Sequence, residues 1–382
     1  NTGVYFPAAD TVGVVTGGVE RFRFGSNPIP GGGKNLIQNG AMTVAQRGTV
    51  TGIGGSGDDQ ILDRWLLVNG GGGTGRVTAS QDALSVANRA ITGQGYALKI
   101  DCTTAESAVA ASEFMWLTHR IEAQNLQGLK YGNASAETVT LSFWYSSPKT
   151  GAHFVAAKQD DGTDTYIREF TIAVADTLEF FQVTFPGDPT GTINNDTGKG
   201  YSINFPIISG STYQGTKDTW TGSSSQYSTS DQQNLLDNTA NNIYITGVQL
   251  EVGSVATDFE HEDIGTTLAK CQRYLEKTFE MSVAPAENTG SRPGALGAVN
   301  TSSGSGVVSV SWRFNTRKRT APTVTTYNPL ATGSGWRDDG NSASISTLVN
   351  AIGESGCTVA MNAASAVANT GYKIHALAVA EL

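Results

Sequence analysis

The stretch at residues 242–277, NIYITGVQLEVGSVATDFEHEDIGTTLAKCQRYLEK, separates two regions of different texture and decides how the chain divides. Ile243, Tyr244 and Ile245 open a strand, yet the apolar positions that follow are Val248, Leu250 and Val252. Side chains on a strand alternate between two faces, so Ile243 and Ile245 fall opposite Val248 and Leu250 unless the register slips. Thr246 and Gly247 lie at the change of phase, and the glycine predicts a bulge or a close backbone approach. Further on, Leu268, Cys271 and Leu275 recur at spacings of three and four. That predicts a short helix over residues 266–277, capped by Thr266 or Thr267 and buried along this stripe, with residues 274–279 open to a strand reading.

Upstream, alternation of period two dominates. Val139, Leu141, Phe143 and Tyr145 alternate with Thr138, Thr140, Ser142 and Trp144; Phe181, Val183 and Phe185 alternate with Phe180, Gln182 and Thr184. Tyr96, Leu98, Ile100 and Cys102 share one face, as do Met115, Leu117 and Ile121. Turn-rich clusters at residues 160–164 and 187–200 separate such runs. The pattern predicts an antiparallel jelly-roll β-sandwich over residues 34–263. A helical connector at 264–280 then leads into a C-terminal β domain at 281–382. Within it Val308, Val310, Trp312 and Phe314 alternate, as do Cys357, Val359 and Met361. The final strand sets Tyr372, Ile374, Ala376 and Ala378 against Lys373, His375, Leu377 and Val379. Both of its faces are partly apolar, so it belongs at the centre of a sheet or in a subunit interface.

Residues 1–33 hold only small strands, at 4–6, 12–15 and 19–24, and cannot build a core alone. Tyr5, Phe6, Phe22 and Phe24 are costly to leave in water, which predicts a collar formed with further copies of the chain; the alternative is a disordered leader. Gly31, Gly32 and Gly33 read as a hinge. The opening Asn1 implies a piece of a longer chain.

Glycine supplies 46 of 382 residues and charged residues only 15%, against a usual ~25% charged. This favours short strands and turns, hence an all-β class. The net charge of −9 opposes a nucleic-acid partner, since phosphate binding needs a basic face. The one basic cluster, Arg317, Lys318 and Arg319, reads as a solvated strand end or turn. Cys102, Cys271 and Cys357 are too few and too dispersed for a disulfide framework and read as buried thiols. No apolar run approaches the ~18 residues of a membrane span, so no membrane insertion is expected.

Catalytic patterns are missing. His119, His153, His261 and His375 show no metal-binding spacing, and no G-x-S-x-G elbow occurs. Two G-x-G-x-x-G matches, at Gly52, Gly54, Gly57 and at Gly70, Gly72, Gly75, lead into no helix and read as loops. Asp160, Asp161 and Asp164 could offer oxygens to calcium but lack the full ligand set, and an Asp-Gly hairpin turn accounts for them. No cofactor or metal is expected, and the protein is read as a binder rather than an enzyme. Candidate glycan-contacting residues are the aromatics Trp144, on the polar face of its strand, Tyr213 and Trp220, in the loop STYQGTKDTW, and Trp336, in the glycine-rich loop GSGWRDDG with Arg337, Asp338 and Asp339 beside it, because sugar C–H faces stack on aromatic rings. The alternative is that each ring plugs an edge of its own core or packs at a subunit interface.

The junction residues Gly247, Gln249, Leu250, Glu251, Gly253, Ala256, Thr257, Phe259 and Glu260, followed by Cys271, Gln272, Arg273 and Tyr274, resemble those of tail fibre and related structural proteins of tailed bacteriophages. The segments NLIQNGAMTVAQRG, DRWLL, HRIEAQNLQGLKYG, TVTLSFWYSS and GSTYQGTKDTW resemble the carbohydrate-binding-module-like jelly roll of the same proteins. TGVYFPAADTVGVVTGGVERFRF and YKIHALAVAEL are similar to their N-terminal repeat and final strand. Asp258, Asp263 and Ile264 depart from the usual pattern at the turn before the helix. The resemblance implies a virion component acting outside the host cell: a homotrimer joined to other phage tail proteins on its N-terminal side and binding host surface polysaccharide. It transfers no catalytic residue. The alternatives are a tail polysaccharide depolymerase with carboxylates drawn from separate strands, or a fibre spacer with no receptor site.

Overall fold

The computed structural model describes residues 2–7, 12–24, 33–301, 308–333, 335–338, 344–361 and 367–382, those of 19–24 by backbone alone. The expectations for Gly31, Gly32, Asp339 and the side chains of Phe22 and Phe24 lie outside these residues. Strands dominate, and the chain is all-β. Among the described residues no helix is long and apolar enough to cross a membrane. Two compact units emerge: Asn1–Thr43 with Val50–Gln60 and Trp65–Glu262, and Val44–Thr49 with Ile61–Arg64 and Asp263–Leu382.

In the first unit β1 (Gly3–Tyr5), β2 (Val12–Thr16) and β3 (Val19–Phe24) form a small antiparallel sheet of their own. The larger body is built from β4 (Val50–Ile53), β5 (Gly57–Gln60), β6 (Trp65–Gly70), β7 (Arg76–Ala83), helix α1 (Val86–Thr92), β8 (Tyr96–Thr104), β9 (Phe114–Glu122) and β10 (Val139–Ser146). It continues through β11 (Gly151–Gln159), β12 (Thr165–Ile172), β13 (Glu179–Phe185), β14 (Lys199–Ser209) and β15 (Asn242–Val252). These twelve strands make two six-stranded sheets, ordered β13-β10-β15-β8-β7-β4 and β12-β11-β14-β9-β6-β5, with antiparallel pairing throughout.

The core lies between the two sheets because each strand turns one apolar set inward. Phe143 from the first sheet meets Phe205 and Phe170 from the second, with ring centroids 5.0 and 5.1 Å apart, both edge-on. This is the favoured approach of aromatic quadrupoles. Leu98, Ile100 and Cys102 are buried as their alternation predicts, whereas Tyr96, at the open end of β8, is exposed.

β15 shows how the sequence handles its change of phase. The pairing of β15 with β10 slips between Ser142 and Trp144. Gly247 sits there with φ +59°, and a Cβ on it would stand 3.1 Å from Trp144 Cδ1. The slip lets Ile243, Ile245, Val248 and Leu250 all be buried. Beyond it, the buried Gln249 and Glu251 hold the following loop. Glu251 accepts from the Thr257 backbone N–H at 2.8 Å and its hydroxyl at 2.7 Å, and Gln249 Oε1 accepts from the Glu260 N–H at 2.8 Å. Glu260 in turn accepts from the Asn35 N–H at 2.9 Å. The polar residues of the junction are thus buried satisfiers of loop backbone.

The second unit contains helix α2 (Ile264–Gln272) and strands β16 (Leu275–Lys277), β17 (Leu296–Asn300), β18 (Ser309–Arg313), β19 (Thr323–Tyr327), β20 (Trp336–Asp338), β21 (Ser344–Ile345), β22 (Thr347–Gly353), β23 (Gly356–Met361) and β24 (Thr370–Val379). β24 pairs with β16, β17, β19 and β20 and is the central strand its two apolar faces call for. β18, β23 and β22 form a second, three-stranded sheet.

The helix is shorter than its stripe predicts. Asp263 caps it by accepting from the Gly265 N–H at 2.8 Å, and Leu275 lies in β16, buried by pairing with Val379. The basic cluster is solvated only in part: the Arg317 side chain is 73% exposed, but its neighbour is not. Lys318 is 0% exposed, 2.6 Å from the carboxylate of Glu276 and donating to the Thr316 carbonyl at 2.9 Å. Arg319 donates to the Ala380 carbonyl at 2.6 Å. A buried ammonium persists only when paired and hydrogen-bonded, and here the paired carboxylate, Glu276, lies 42 positions earlier.

Candidate functional site

Six of the seven candidate contact residues are described, and they occupy four separate places. Trp144 is half-buried on the outer face of the first sheet, its ring 5.4 Å from that of Phe180, which is 49% exposed. Trp220 packs edge-on against Tyr166 at 5.2 Å and donates its indole N–H to the Pro186 carbonyl at 3.2 Å. Its ring is committed to the edge of its own sandwich.

Trp336 is a correction. The glycine-rich surroundings predicted a loop, but Trp336 is in β20, opposite Ile345, and is 0% exposed in the core of the second unit with Trp312, Tyr372 and Ile374. Asp338 is 1% exposed and pairs with Tyr372 in the sheet, and Arg337 lies between them. A ring with no exposed face cannot stack on a sugar. Loop glycines on either side hid a short strand whose partner, β24, is more than thirty residues away.

Tyr213 leads to a different kind of site. It ends a single 3₁₀ turn, Ser211–Tyr213, directly after β14. Its ring closes on Phe114 at 4.5 Å and Trp116 at 5.5 Å, while Tyr227 covers Trp116 at 4.3 Å. This aromatic cluster lies on the face of the second sheet turned away from the core and explains why β14 is buried on both sides. The turn is fixed by backbone bonds: the Thr212 N–H donates to the Ala111 carbonyl at 3.1 Å, and the Gly210 N–H to that of Glu113 at 2.8 Å. Gly210 has no room for a side chain, since a Cβ would lie 2.1 Å from the Ala110 carbonyl.

Beside this turn is a groove of about 360 Å³, within the ~300–1,000 Å³ range of small-molecule sites. Its polar lining is Ser107, Ser209, Ser211, Gln214, Gln232, Gln233 and Asn234; Val109, Ala111 and Ile208 supply apolar surface. None of these side chains is charged. Asn234 is fully engaged in holding the wall, its Nδ2 donating to the Glu106 carbonyl at 2.7 Å and its Oδ1 accepting from the Leu236 N–H at 2.9 Å. Gln214 Nε2 donates to the Ser209 carbonyl at 2.9 Å. Gln232 Nε2 donates to the Gln233 carbonyl at 2.9 Å, but its Oε1 is buried with no hydrogen-bond partner. That oxygen is enclosed by protein and presents no surface to the groove. Only Ser211, Tyr213 and Gln214 fall within the loop that the sequence marked out. The other walls come from residues 107–111 and 232–234, and amides scattered in loops carry no periodic signal.

The histidines and aspartates that could have served as metal or catalytic groups are held in structural contacts. His153 is buried, its Nε2 is 2.9 Å from the Lys149 carbonyl, and burial pushes its pKa down. His375 bridges Thr278 and the Ser291 carbonyl. Asp161 is held by Asn194, and Asp164 accepts from the Gly222 N–H at 2.9 Å. Among the described residues no group of three metal-ligating side chains converges.

No protein-family model matches the sequence, and no curated protein matches it. Among solved structures, the chain is similar to the enzymatically active domain of tailspike protein 4 from bacteriophage CBA120, with 14% identity and a TM-score of 0.30, over 58% of this chain and 22% of that one. The chain therefore spans about a fifth of that tailspike's length. It is also similar to a putative sugar binding protein from Bacteroides thetaiotaomicron, at 13% identity and TM-score 0.32 over 57% of this chain and all of that one. A third is TmCBM61, solved with β-1,4-galactotriose, at 12% identity and TM-score 0.27 over 58% of this chain and all of that one.

Proposed function

We propose that the protein is a glycan-binding component of a tailed-bacteriophage tail fibre, attaching the virion to host surface polysaccharide without cleaving it. The observation that carries the glycan reading is the uncharged, amide- and hydroxyl-lined groove beside Tyr213. Sugars present hydroxyls that both donate and accept, and amide side chains match them at both ends. The virion assignment is supported by the junction residues, whose polar members Gln249, Glu251, Thr257 and Glu260 form one hydrogen-bonded network around the buried Gln249 and Glu251. A homotrimer built on the N-terminal sheet is supported by Val4 and Phe6, 62% and 76% exposed on strands too few to bury them. Three weak sites on a repetitive surface gain ~100-fold to 10,000-fold in avidity where geometry permits.

The test is adsorption. The isolated chain should bind cells of the host and compete with virions for them, with no new reducing ends released from purified polysaccharide. New reducing ends would establish a depolymerase instead. A chain that neither binds nor competes would be a spacer, and a monomer by sedimentation would remove the avidity and the fibre reading together.

A further inference from the structure

We infer that the outer face of the β18-β23-β22 sheet holds a second site, which takes a carboxylate-bearing sugar on Arg313. It belongs to the other unit and does not depend on the groove beside Tyr213; the saccharide class of its ligand rests on the glycan reading above, while the anion does not. Strand register builds the site. Ser311 stands opposite Thr358, and Thr358 opposite Asn350; in the next row Arg313 stands opposite Gly356, and Gly356 opposite Gly353. Side chains alternate between faces, so Trp312, Cys357 and Val359 fill the core and these two rows face outward. The row of Arg313 carries a side chain at one end only. Two glycines leave bare backbone beside the guanidinium, and the result is a groove of about 340 Å³.

The two glycines have different reasons. A Cβ on Gly356 would lie 2.5 Å from the Trp312 carbonyl oxygen, so packing demands glycine there. On Gly353 a Cβ would meet nothing within 4 Å, so its lack of a side chain answers no packing need and keeps the floor open. Among the described residues Arg313 has no ion-pair partner, and the side-chain hydroxyls of Ser311, Ser355 and Thr358 in the same lining have no hydrogen-bond partner. Glu354, the carboxylate of the lining, is already taken by Arg317, whose Nε and Nη2 lie 2.6 and 2.5 Å from its Oε2. An unmatched guanidinium offers a planar fork that a carboxylate fills with two hydrogen bonds, and the hydroxyls beside it match those of a sugar ring. A neutral sugar leaves that fork to water.

The experiment is calorimetric titration of the full chain with trigalacturonate, with galactotriose and with acetate. Trigalacturonate should bind about tenfold or more tightly than galactotriose at low salt, and the advantage should shrink as salt rises. Arg313→Gln should abolish it, and Arg313→Lys, which keeps the charge but not the fork, should restore only part. Gly353→Leu, built into open space, should weaken trigalacturonate roughly tenfold with an unchanged melting temperature. Galactotriose, bound beside Tyr213, should be indifferent to all three substitutions. Equal binding of the two sugars, or trigalacturonate binding untouched by both Arg313→Gln and Gly353→Leu, would overturn the site. Acetate binding as tightly as trigalacturonate would overturn the saccharide class of the ligand and with it the proposal of a sugar site on this sheet.

Discussion

The two units are held together by different physics. In the sandwich the centre is aromatic, with Phe143, Tyr145, Phe170 and Phe205 meeting between sheets, and its ion pairs, such as Lys130 with Glu137, are partly exposed. In the second unit, charges are buried. Glu381 is bridged by Arg47 at 2.8 Å and Arg64 at 2.6 Å, Arg64 lies 3.5 Å over the ring of Tyr274, and Asp63 accepts twice from Gln46 at 2.6 Å. Lys318 and Glu276 form a second buried pair. The sandwich also buries carboxylates, Glu122, Asp188 and Glu251 among them, but its centre is held by apolar packing. The smaller sheets instead fix two short outlying segments, Val44–Thr49 and Ile61–Arg64, with charge and amide bonds. The motifs AQRG, DRW and CQRY, distant in sequence, are the parts of that network.

This difference can be broken by substitution. Glu381→Ala leaves two arginines buried beside an empty position and should cost about 3–5 kcal/mol, read as faster hydrogen exchange confined to the second unit. Phe143→Ala should cost a comparable ~3–5 kcal/mol, with exchange rising in the sandwich strands only. Gly247→Ala forces a non-glycine residue into a left-handed backbone against Trp144, for a smaller loss of ~1–2 kcal/mol in denaturant melts. Lys130→Met, at a partly exposed pair, should change stability by no more than ~1 kcal/mol. Exchange that spreads through both units from either core substitution would show that the distinction is not an energetic one.

Acid sharpens the same contrast. Burial would raise the Glu381 pKa, but Arg47 and Arg64 outweigh it and hold the carboxyl below its ordinary 4.5. Its stabilising contribution is therefore complete above about that pH and is lost as the pH falls through the lower folded value. Asp63 has the opposite sign. Burial raises its pKa above 3.8 despite Arg47 and Gln46, so it disfavours the fold as pH rises through that range and relieves it in acid. Glu381→Gln should remove the acid-induced loosening of the second unit while leaving the sandwich's acid response unchanged, measured by exchange between pH 5 and pH 3. Unaltered acid sensitivity would assign it to other carboxylates.

The candidate groove shows how far reading along a chain reaches. Tyr213 stood out because an aromatic in a polar loop is conspicuous, and it does mark the right turn. Gln232, Gln233 and Asn234, which line the same groove, are amides in a loop and acquire their place only when the chain returns to the end of β14. Trp336 misled for the converse reason. Its neighbours Gly333 and Gly335 read as loop, yet three residues suffice for a strand when β24 waits beside them.

What the sequence determined by itself is whatever depends on neighbours a few residues apart: the alternation that makes strands, the bulge at Gly247, the turn at Asp161–Gly162, and the central position of a last strand apolar on both faces. These follow from backbone geometry and the period of side-chain direction, which are local. What only the tertiary structure decided is which of two faces is covered and by what: that Lys318 and Trp336 are buried, that Arg47 and Arg64 share Glu381, and that three loops enclose one neutral groove. Burial and charge pairing depend on proximity in space between residues as far apart as 334 positions, and no local pattern encodes it.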